Sequence, residues 1–390
     1  MKNPNNLNSG KKRVILSVTN DVYADHRLHK MARTLHESGF DVLILGKKTK
    51  QEVTKTDYAV IKRLPVVFKK SFFFYAEFNI RLFFYLLFCR AHILTANDLD
   101  TLPANTLVAK LRRRKLVYDS HEYFTQSPEI LHKPFVIKFW SWLERICVKH
   151  ISQGITVSPS IAKEYKAIYG KEFHVVRNVP ERNRITPHTD LPDFMHHPKL
   201  ILYQGSLNLG RGLEMAIDAM QYLEDHKLVI IGKGDIEKEL KTLADRLNLG
   251  HKVFFTGRVS YTELPAYTRK ALIGLSVEEA LGKNYEYALP NKLFDYIHAE
   301  VPAIVTNLPE MKAIVEKYKV GKILTNNDAR ELARLISDMT ADKQLLDDLK
   351  QNCKKASEEL CWEEESEIVK EIYANLWSNF KPPDSKANRL

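Results

Sequence analysis

The sequence predicts an α/β protein of two doubly wound, Rossmann-like domains facing across a cleft. Three observations carry that prediction. Short apolar runs alternate with amphipathic stretches along most of the chain. A proline-rich segment without apolar period, from Pro180 to Pro198, interrupts the alternation near its middle, and the pattern then restarts. At 390 residues the chain is also too long for one ordinary core. The expected limits are an N-terminal domain at 1–185, a linker at 186–198, a second domain at 199–361, and a closing helix and tail at 362–390.

In the first half, the run from Arg13 to Thr19 reads as a buried strand. The stretch from His26 to Ser38 reads as a helix, with Leu28, Met31, Ala32 and Leu35 at helical spacing and Gly39 at its end. Further strands fit from Asp41 to Gly46, His92 to Thr95, Leu116 to Tyr118, Ile155 to Val157 and His174 to Arg177. Helices between them imply a parallel sheet with right-handed crossovers. In the second half, strands fit from Leu200 to Gln204, Lys227 to Ile231, Val253 to Thr256, Ile273 to Val277, Pro302 to Thr306 and Lys322 to Leu324. Helices fit from Leu213 to Tyr222, Ile236 to Leu247 and Lys292 to His298, and the chain is helical and charged from Ala329 on.

The composition, 44% hydrophobic and 27% charged, is that of a globular protein. The polar start and the short run from Val14 to Val18 give no export signal. The four cysteines show no metal spacing and read as reduced cytosolic thiols. The net charge of +11 is unevenly placed: +16 over residues 1–185 (32 Lys and Arg against 16 Asp and Glu) and −5 beyond (27 against 32). The first half should therefore face something anionic, and an anionic membrane surface is a candidate partner. Nucleic acid is not expected, for no recognition helix, RNA-binding signature or zinc finger is present. From Phe68 to Arg90 an aromatic stretch with flanking Lys and Arg fits either an interfacial membrane helix or a buried helix on the first sheet. Its uninterrupted apolar run after Arg81 is too short to span a bilayer.

Two turns favour phosphate. In the stretch from Tyr287 to Asp295, Pro290 is placed to open a helix, and the free N–H groups at Asn291 and Lys292 would face an anion beside the Lys292 ammonium. In the turn from Gly205 to Gly212, the backbone of Gly205 and Ser206 allows close approach, and Arg211 offers a bidentate fork to phosphate oxygens. Asp295 follows one turn after the first of these and suits a ribose or sugar hydroxyl. The plain alternatives are a solvated helix start for Arg211, a surface lysine for Lys292 and a helix-surface carboxylate for Asp295. The combination suggests a nucleotide-diphosphate ligand.

The motifs, in their order and spacing, resemble the retaining glycosyltransferases of family four, which have the GT-B architecture. The resemblance covers nearly the whole chain. It rests on Asn20 to Arg27, Asn97 to Asp100, Val117 to Glu122, Val157 to Ser160 and Arg177 to Pro180 in the first domain. In the second it rests on Gly205 to Gly212, Ile230 to Gly234, Phe255 to Val259 and Pro290 to Tyr296. Two departures stand out. Ser206 occupies a place where many members carry arginine. The family's paired acids lie eight apart; the second matches Asp295, but the first falls on Tyr287, with Glu286 beside it.

The resemblance implies transfer of a sugar, with retention, from a UDP- or GDP-linked donor to a growing glycan or lipid-linked saccharide. It implies front-face attack, with the leaving phosphate helping to deprotonate the acceptor. Arg211 and Lys292 then supply the positive charge, and neither a metal nor another cofactor is expected. Gly257, Arg258 and Val259 would border the base, and Glu286 would contact the donor sugar. His121 is expected to touch the sugar near the reacting carbon, a core histidine being the plain alternative. Asp119 and Glu122 flank it, and Asp25 and Arg27 form a polar cluster on the first loop facing the acceptor. The expected setting is cytoplasmic, peripheral on the inner face of the membrane. The rivals are a nucleotide-sugar epimerase of the same architecture and a non-catalytic scaffold binding a glycan or a partner.

Overall fold

The alternating pattern folds into two parallel sheets in the computed structural model, which describes residues 12–23, 25–49, 56–69, 71–182 and 187–380. The chain divides into two compact units. The first holds the described residues up to Arg177 and those from Glu365 on; the second runs from Asn178 to Glu364. The division thus falls before the expected linker at 186–198. The closing helix, expected as a separate segment, belongs mostly to the first unit.

In the first unit β1 (Arg13–Ser17) leads to α1 (His26–Glu37), β2 (Asp41–Lys47) and β3 (Val60–Leu64). Then α2 (Ser71–Phe88) crosses to β4 (Ile93–Asn97), and α3 (Leu102–Arg112) to β5 (Lys115–Ser120). The short α4 (Pro128–Leu131) and α5 (Pro134–Val148) precede β6 (Gln153–Thr156), and α6 (Pro159–Tyr169) precedes β7 (Phe173–Val175). The strand order is β3-β2-β1-β4-β5-β6-β7, with every pairing parallel. Chain direction through the sheet reverses between β1 and β4, and such a switch point opens a crevice at the carboxyl ends of its strands.

Local signals set these elements. Asp25 caps α1, its carboxylate accepting the Leu28 N–H at 3.0 Å. Gly39, at φ +83°, releases the chain into β2. The central strands β1 and β4 are buried along their whole length because helices cover both faces.

In the second unit β8 (Leu200–Gln204), α7 (Leu213–Ala219), β9 (Lys227–Ile231), α8 (Glu237–Arg246) and β10 (Val253–Gly257) form one half. The short α9 (Leu264–Thr268) leads to β11 (Ile273–Ser276). Then come α10 (Lys283–Glu286), α11 (Asn291–His298), β12 (Ala303–Thr306), α12 (Pro309–Tyr318) and β13 (Gly321–Leu324). The order β10-β9-β8-β11-β12-β13, again all parallel, puts the switch point between β8 and β11. The charged helices α13 (Ala329–Ala341) and α14 (Lys343–Glu359) follow, and α15 (Trp362–Ser378) continues into the first unit. There Glu365 receives Arg177 Nε at 2.6 Å, and the Tyr373 hydroxyl meets Thr95 Oγ1 at 2.7 Å.

The two strands at this second switch point share a ladder of only two residues, Ile273 with Ile201 and Gly274 with Leu202. Tyr296, fully buried on α11, fills the opening beyond it. Its hydroxyl accepts the Gln204 N–H at 3.3 Å and lies 3.1 Å from both the Leu202 and Leu275 carbonyls. Gly274 makes room, since a Cβ there would sit 2.5 Å from the Tyr296 ring. The Tyr296→Phe variant should therefore lose about 1–3 kcal/mol of stability, as expected when buried backbone groups lose their partner. Urea unfolding monitored by circular dichroism measures this, and an unchanged midpoint would contradict it.

Candidate functional site

Each switch point carries a cluster of charged side chains. In the first unit the foundation is Arg27, 3% exposed, whose Nε and Nη2 reach the two carboxylate oxygens of Asp119 at 3.1 and 2.7 Å. Its Nη1 donates to the Val176 carbonyl at 2.8 Å. Asp119, the last residue but one of β5, in turn lies 3.2 Å from His121 Nε2. On the other side of the ring, Nδ1 lies 3.3 Å from Asp98, and the same carboxylate accepts the His121 backbone N–H at 3.0 Å. His121 thus stands between two acids, its ring 18% exposed.

Asp98 sits in the loop after β4 at φ +62°, in the left-handed region that few side chains adopt. The conformation is held by its N–H, which donates to the Asp119 carbonyl at 2.9 Å. Nearby, Asp100 accepts the Thr19 hydroxyl through Oδ2, while its buried Oδ1 has no partner among the described residues. Burial and the Asp98 charge push the Asp100 carboxyl up to about 7. Burial alone would lower the His121 imidazole, but Asp98 and Asp119 outweigh it and hold the ring up at about 9. Burial would raise Asp119, yet Arg27 and His121 keep it well below the usual carboxylate range.

In the second unit the centre is Glu278, 1% exposed, in the loop after β11. It receives Lys292 Nζ at 2.7 Å on Oε1 and the Ser276 hydroxyl at 2.9 Å on Oε2. Arg211 Nη1 lies 3.8 Å from the same Oε1. Lys292, 7% exposed, lies with its ammonium 3.9 Å from the centre of the Tyr203 ring. Arg211 stacks on Tyr285 at 4.4 Å, and its buried Nε has no hydrogen-bond partner among the described residues. The turn from Gly205 closes over this group: a Cβ on Gly205 would lie 3.4 Å from Lys292 Cε. Tyr203 fixes the turn by donating to the Ser206 carbonyl at 2.8 Å. Burial would raise the Glu278 carboxyl, but Lys292 and Arg211 hold it below its ordinary value.

The sequence-predicted residues distribute as follows. Lys292, Arg211, Gly205 and Ser206 come together, with the turn residues exposed. Asn291 is exposed at the first position of α11, one residue after Pro290, which stands as the N-cap. Asp295 accepts Gln204 Nε2 at 2.9 Å and lines a cavity of about 40 Å³ with Thr268, Arg269 and His298. Gly257 holds φ +72° at the end of β10, with Arg258 exposed and Val259 half-buried beyond it. Glu286, expected to contact the donor sugar, ends α10 and is half-buried; Lys292 meets the acid Glu278. Glu122 is exposed, and Asp25 is occupied in capping α1. Asp119, expected beside His121 on the acceptor side, does meet the ring; Arg27, expected to face the acceptor, is buried and spends its guanidinium on Asp119 and the Val176 carbonyl. Asp98 and Glu278 were not singled out from sequence. The available signal was an acid just past the end of a strand at each switch point.

The His121 environment makes a pH prediction. A histidine raised in the folded state contributes stability that is fully present below its unfolded value of 6.5 and is lost as pH rises through about 9. Histidine NMR should give His121 an apparent value near 9 in the wild type. In Asp98→Asn it should fall by one unit or more, because one of the two flanking charges is gone. An unchanged value in the variant would contradict the geometry.

Comparison with known proteins agrees with this layout. The family model described as Glycosyltransferase Family 4 matches residues 25–180, and that described as Glycosyl transferases group 1 matches residues 192–356. Relatives include a chitobiosyldiphosphodolichol beta-mannosyltransferase of Candida albicans, 23% identical over 62% of this chain and 58% of that protein. Another is an alpha-1,4-N-acetyl-D-galactosaminyltransferase of Campylobacter jejuni whose name specifies a diphospho-undecaprenol-linked saccharide, 25% identical over 66% of this chain and 68% of that one. The chain spans about half the length of the first curated relatives it matches. Among solved structures, sucrose-phosphate synthase from Thermosynechococcus elongatus superposes with a TM-score of 0.78 at 16% identity, covering 94% of this chain and all of that one. The Anabaena HepE protein in complex with UDP and glucose gives 0.72 at 14%, covering 94% and 99%. With both family models matched in order along two Rossmann-like units, the chain belongs to the family-four glycosyltransferases of GT-B fold.

Proposed function

We propose that this protein moves a sugar, with retention and without a metal ion, from a UDP- or GDP-linked donor to a glycan carried on a lipid diphosphate. The setting would be the cytoplasmic side of a membrane. The observation that carries the reading is the Lys292–Glu278–Arg211 cluster under the exposed turn at Gly205 and Ser206. A departing nucleotide diphosphate gains negative charge as its bond to the sugar breaks. Lys292 and Arg211 supply positive charge to such a group, and the exposed turn residue Ser206 and Asn291 supply backbone N–H groups beside them. In the transfer, the bond from the anomeric carbon to the diphosphate oxygen breaks and one to the acceptor oxygen forms. The acceptor proton passes to the leaving diphosphate.

The remaining assignments follow the same logic. Asp295, beside Gln204, serves the ribose hydroxyls; Gly257, Arg258 and Val259 border the base; Glu286 serves the sugar. His121, charged between its two acids, serves the sugar near the reacting carbon. The acceptor class is supported by the lipid-diphosphate words in the names of the Candida and Campylobacter relatives. From an α-linked donor, retention predicts an α-linked product, and product NMR checks it.

Arg211→Ala and Lys292→Ala should each lower transfer from a labelled sugar nucleotide about 10²–10³-fold, the usual loss on removing one donor to a developing anion. Excess EDTA should leave the wild-type rate unchanged. Turnover that tolerated both substitutions, or that EDTA abolished, would refute the assignment.

A further inference from the structure

The helix α2 is apolar on every side. Phe74, Phe78, Leu82 and Leu86 form a buried stripe that fixes it to the first unit. Its other sides carry Phe72, Phe73, Ile80 and Phe84 at 55–61% exposure and Phe88 at 79%. A helix apolar all round belongs in a core or in lipid. By length and composition its 18 residues are long and apolar enough to cross a bilayer, longer than the run after Arg81 implied because the helix begins at Ser71, and the two charges inside it, Glu77 and Arg81, pair at 2.8 Å. The buried stripe nevertheless makes α2 part of the fold, so its outer side can only meet a membrane lying flat.

The apolar surface continues beyond α2. Ring contacts run from Phe68 to Phe73 at 5.5 Å and on to Phe72 at 6.0 Å. They cross to Phe139 on α5 at 6.0 Å and reach Trp142 at 6.2 Å. Phe135, in the first turn of α5, is 82% exposed. Lys69, Lys133 and Lys138, all exposed, flank these aromatic residues along the chain. Glu77 is occupied by the N–H groups of Val67 and Phe68 and by Arg81. Aromatic rings bordered by cations match the interfacial layer of an anionic bilayer. The same positive border would repel a second copy of itself in a two-fold contact.

We propose that residues 67–69, α2 and α5 form one docking face that seats the first unit on an anionic lipid surface. This rests on the proposed lipid-linked acceptor and names the surface where that acceptor is met. Asn79 ties the face to the His121 cluster: from α2 its Nδ2 donates to the Asp100 carbonyl at 2.7 Å, and its Oδ1 accepts the Ala104 N–H at 3.2 Å. The docked helix and the loop bearing Asp98 therefore share one support.

Flotation with phosphatidylcholine vesicles, with and without phosphatidylglycerol, tests the proposal. The full chain should float with the anionic vesicles, less with neutral ones, and less at high salt. The Phe72→Ser/Phe73→Ser/Trp142→Ser variant should lose at least tenfold in vesicle affinity. Lys133→Glu/Lys138→Glu should lose the preference for anionic lipid. Both variants should keep the wild-type circular dichroism and the wild-type rate of donor cleavage with a short water-soluble acceptor. That solution rate isolates docking from chemistry: its absence in every protein would sink the functional reading, not the surface. The docking proposal is overturned if the wild type stays unbound with anionic vesicles or if the triple variant floats equally well. It is also overturned if the wild type is a dimer that the triple variant dissolves, with no flotation by either.

Discussion

A lysine buried to 7% exposure needs an anion, and in this protein it has one, Glu278, at 2.7 Å. Removing one partner of a buried ion pair typically costs about 3–5 kcal/mol, since the other charge is left without compensation. The pair therefore fixes three pieces of chain at once: the start of α11, the exit of β11 and the turn after β8. Arg211 joins the same carboxylate at longer range and leans on Tyr285. One acid thus holds two cations that would otherwise repel each other. Within this group of three, two cations face one fixed negative charge.

The first unit solves the inverse problem. There the cation of Arg27 is buried beneath Asp119, and the acids Asp98 and Asp119 embrace the one imidazole. Burial penalises every charge in this group, and only mutual compensation keeps His121 and Asp119 ionised together. Both clusters stand where the strand order reverses, because there adjacent loops diverge and leave polar ends uncovered. The same sheet topology thus yields a cationic turn in one unit and an acid-flanked imidazole in the other.

Much of the fold was legible in the sequence. Buried parallel strands write themselves as continuous apolar runs, and the strands of both sheets, except β3, fell where those runs stand. β3 was not foreseen because an edge strand is half-exposed, and Val60-Ile-Lys-Arg-Leu64 carries two cations on five residues. The unit boundary was misplaced because prolines mark irregular backbone, whereas the change of unit is set by packing, with Glu365 and Tyr373 bringing α15 back to the first unit. Lys292 and Arg211 were legible as cations beside phosphate-friendly turns. Their shared acid was not, because Glu278 arrives from the loop after β11, and nothing local to Lys292 or Arg211 shows that it meets them. Arg27 read as part of an acceptor-facing cluster on the first loop because nothing local shows that Asp119, far along the chain, lies beneath it.

The central claim is that the Lys292–Glu278–Arg211 group and the turn at Gly205 form the diphosphate cradle. A crystal structure of the protein with UDP tests it most directly. The account predicts the β-phosphate within about 3 Å of Lys292 Nζ and of a backbone N–H in the turn, the range of charge-assisted hydrogen bonds, with Glu278 still holding Lys292. A nucleotide bound elsewhere in the chain, with Lys292 and Glu278 undisturbed, would contradict it.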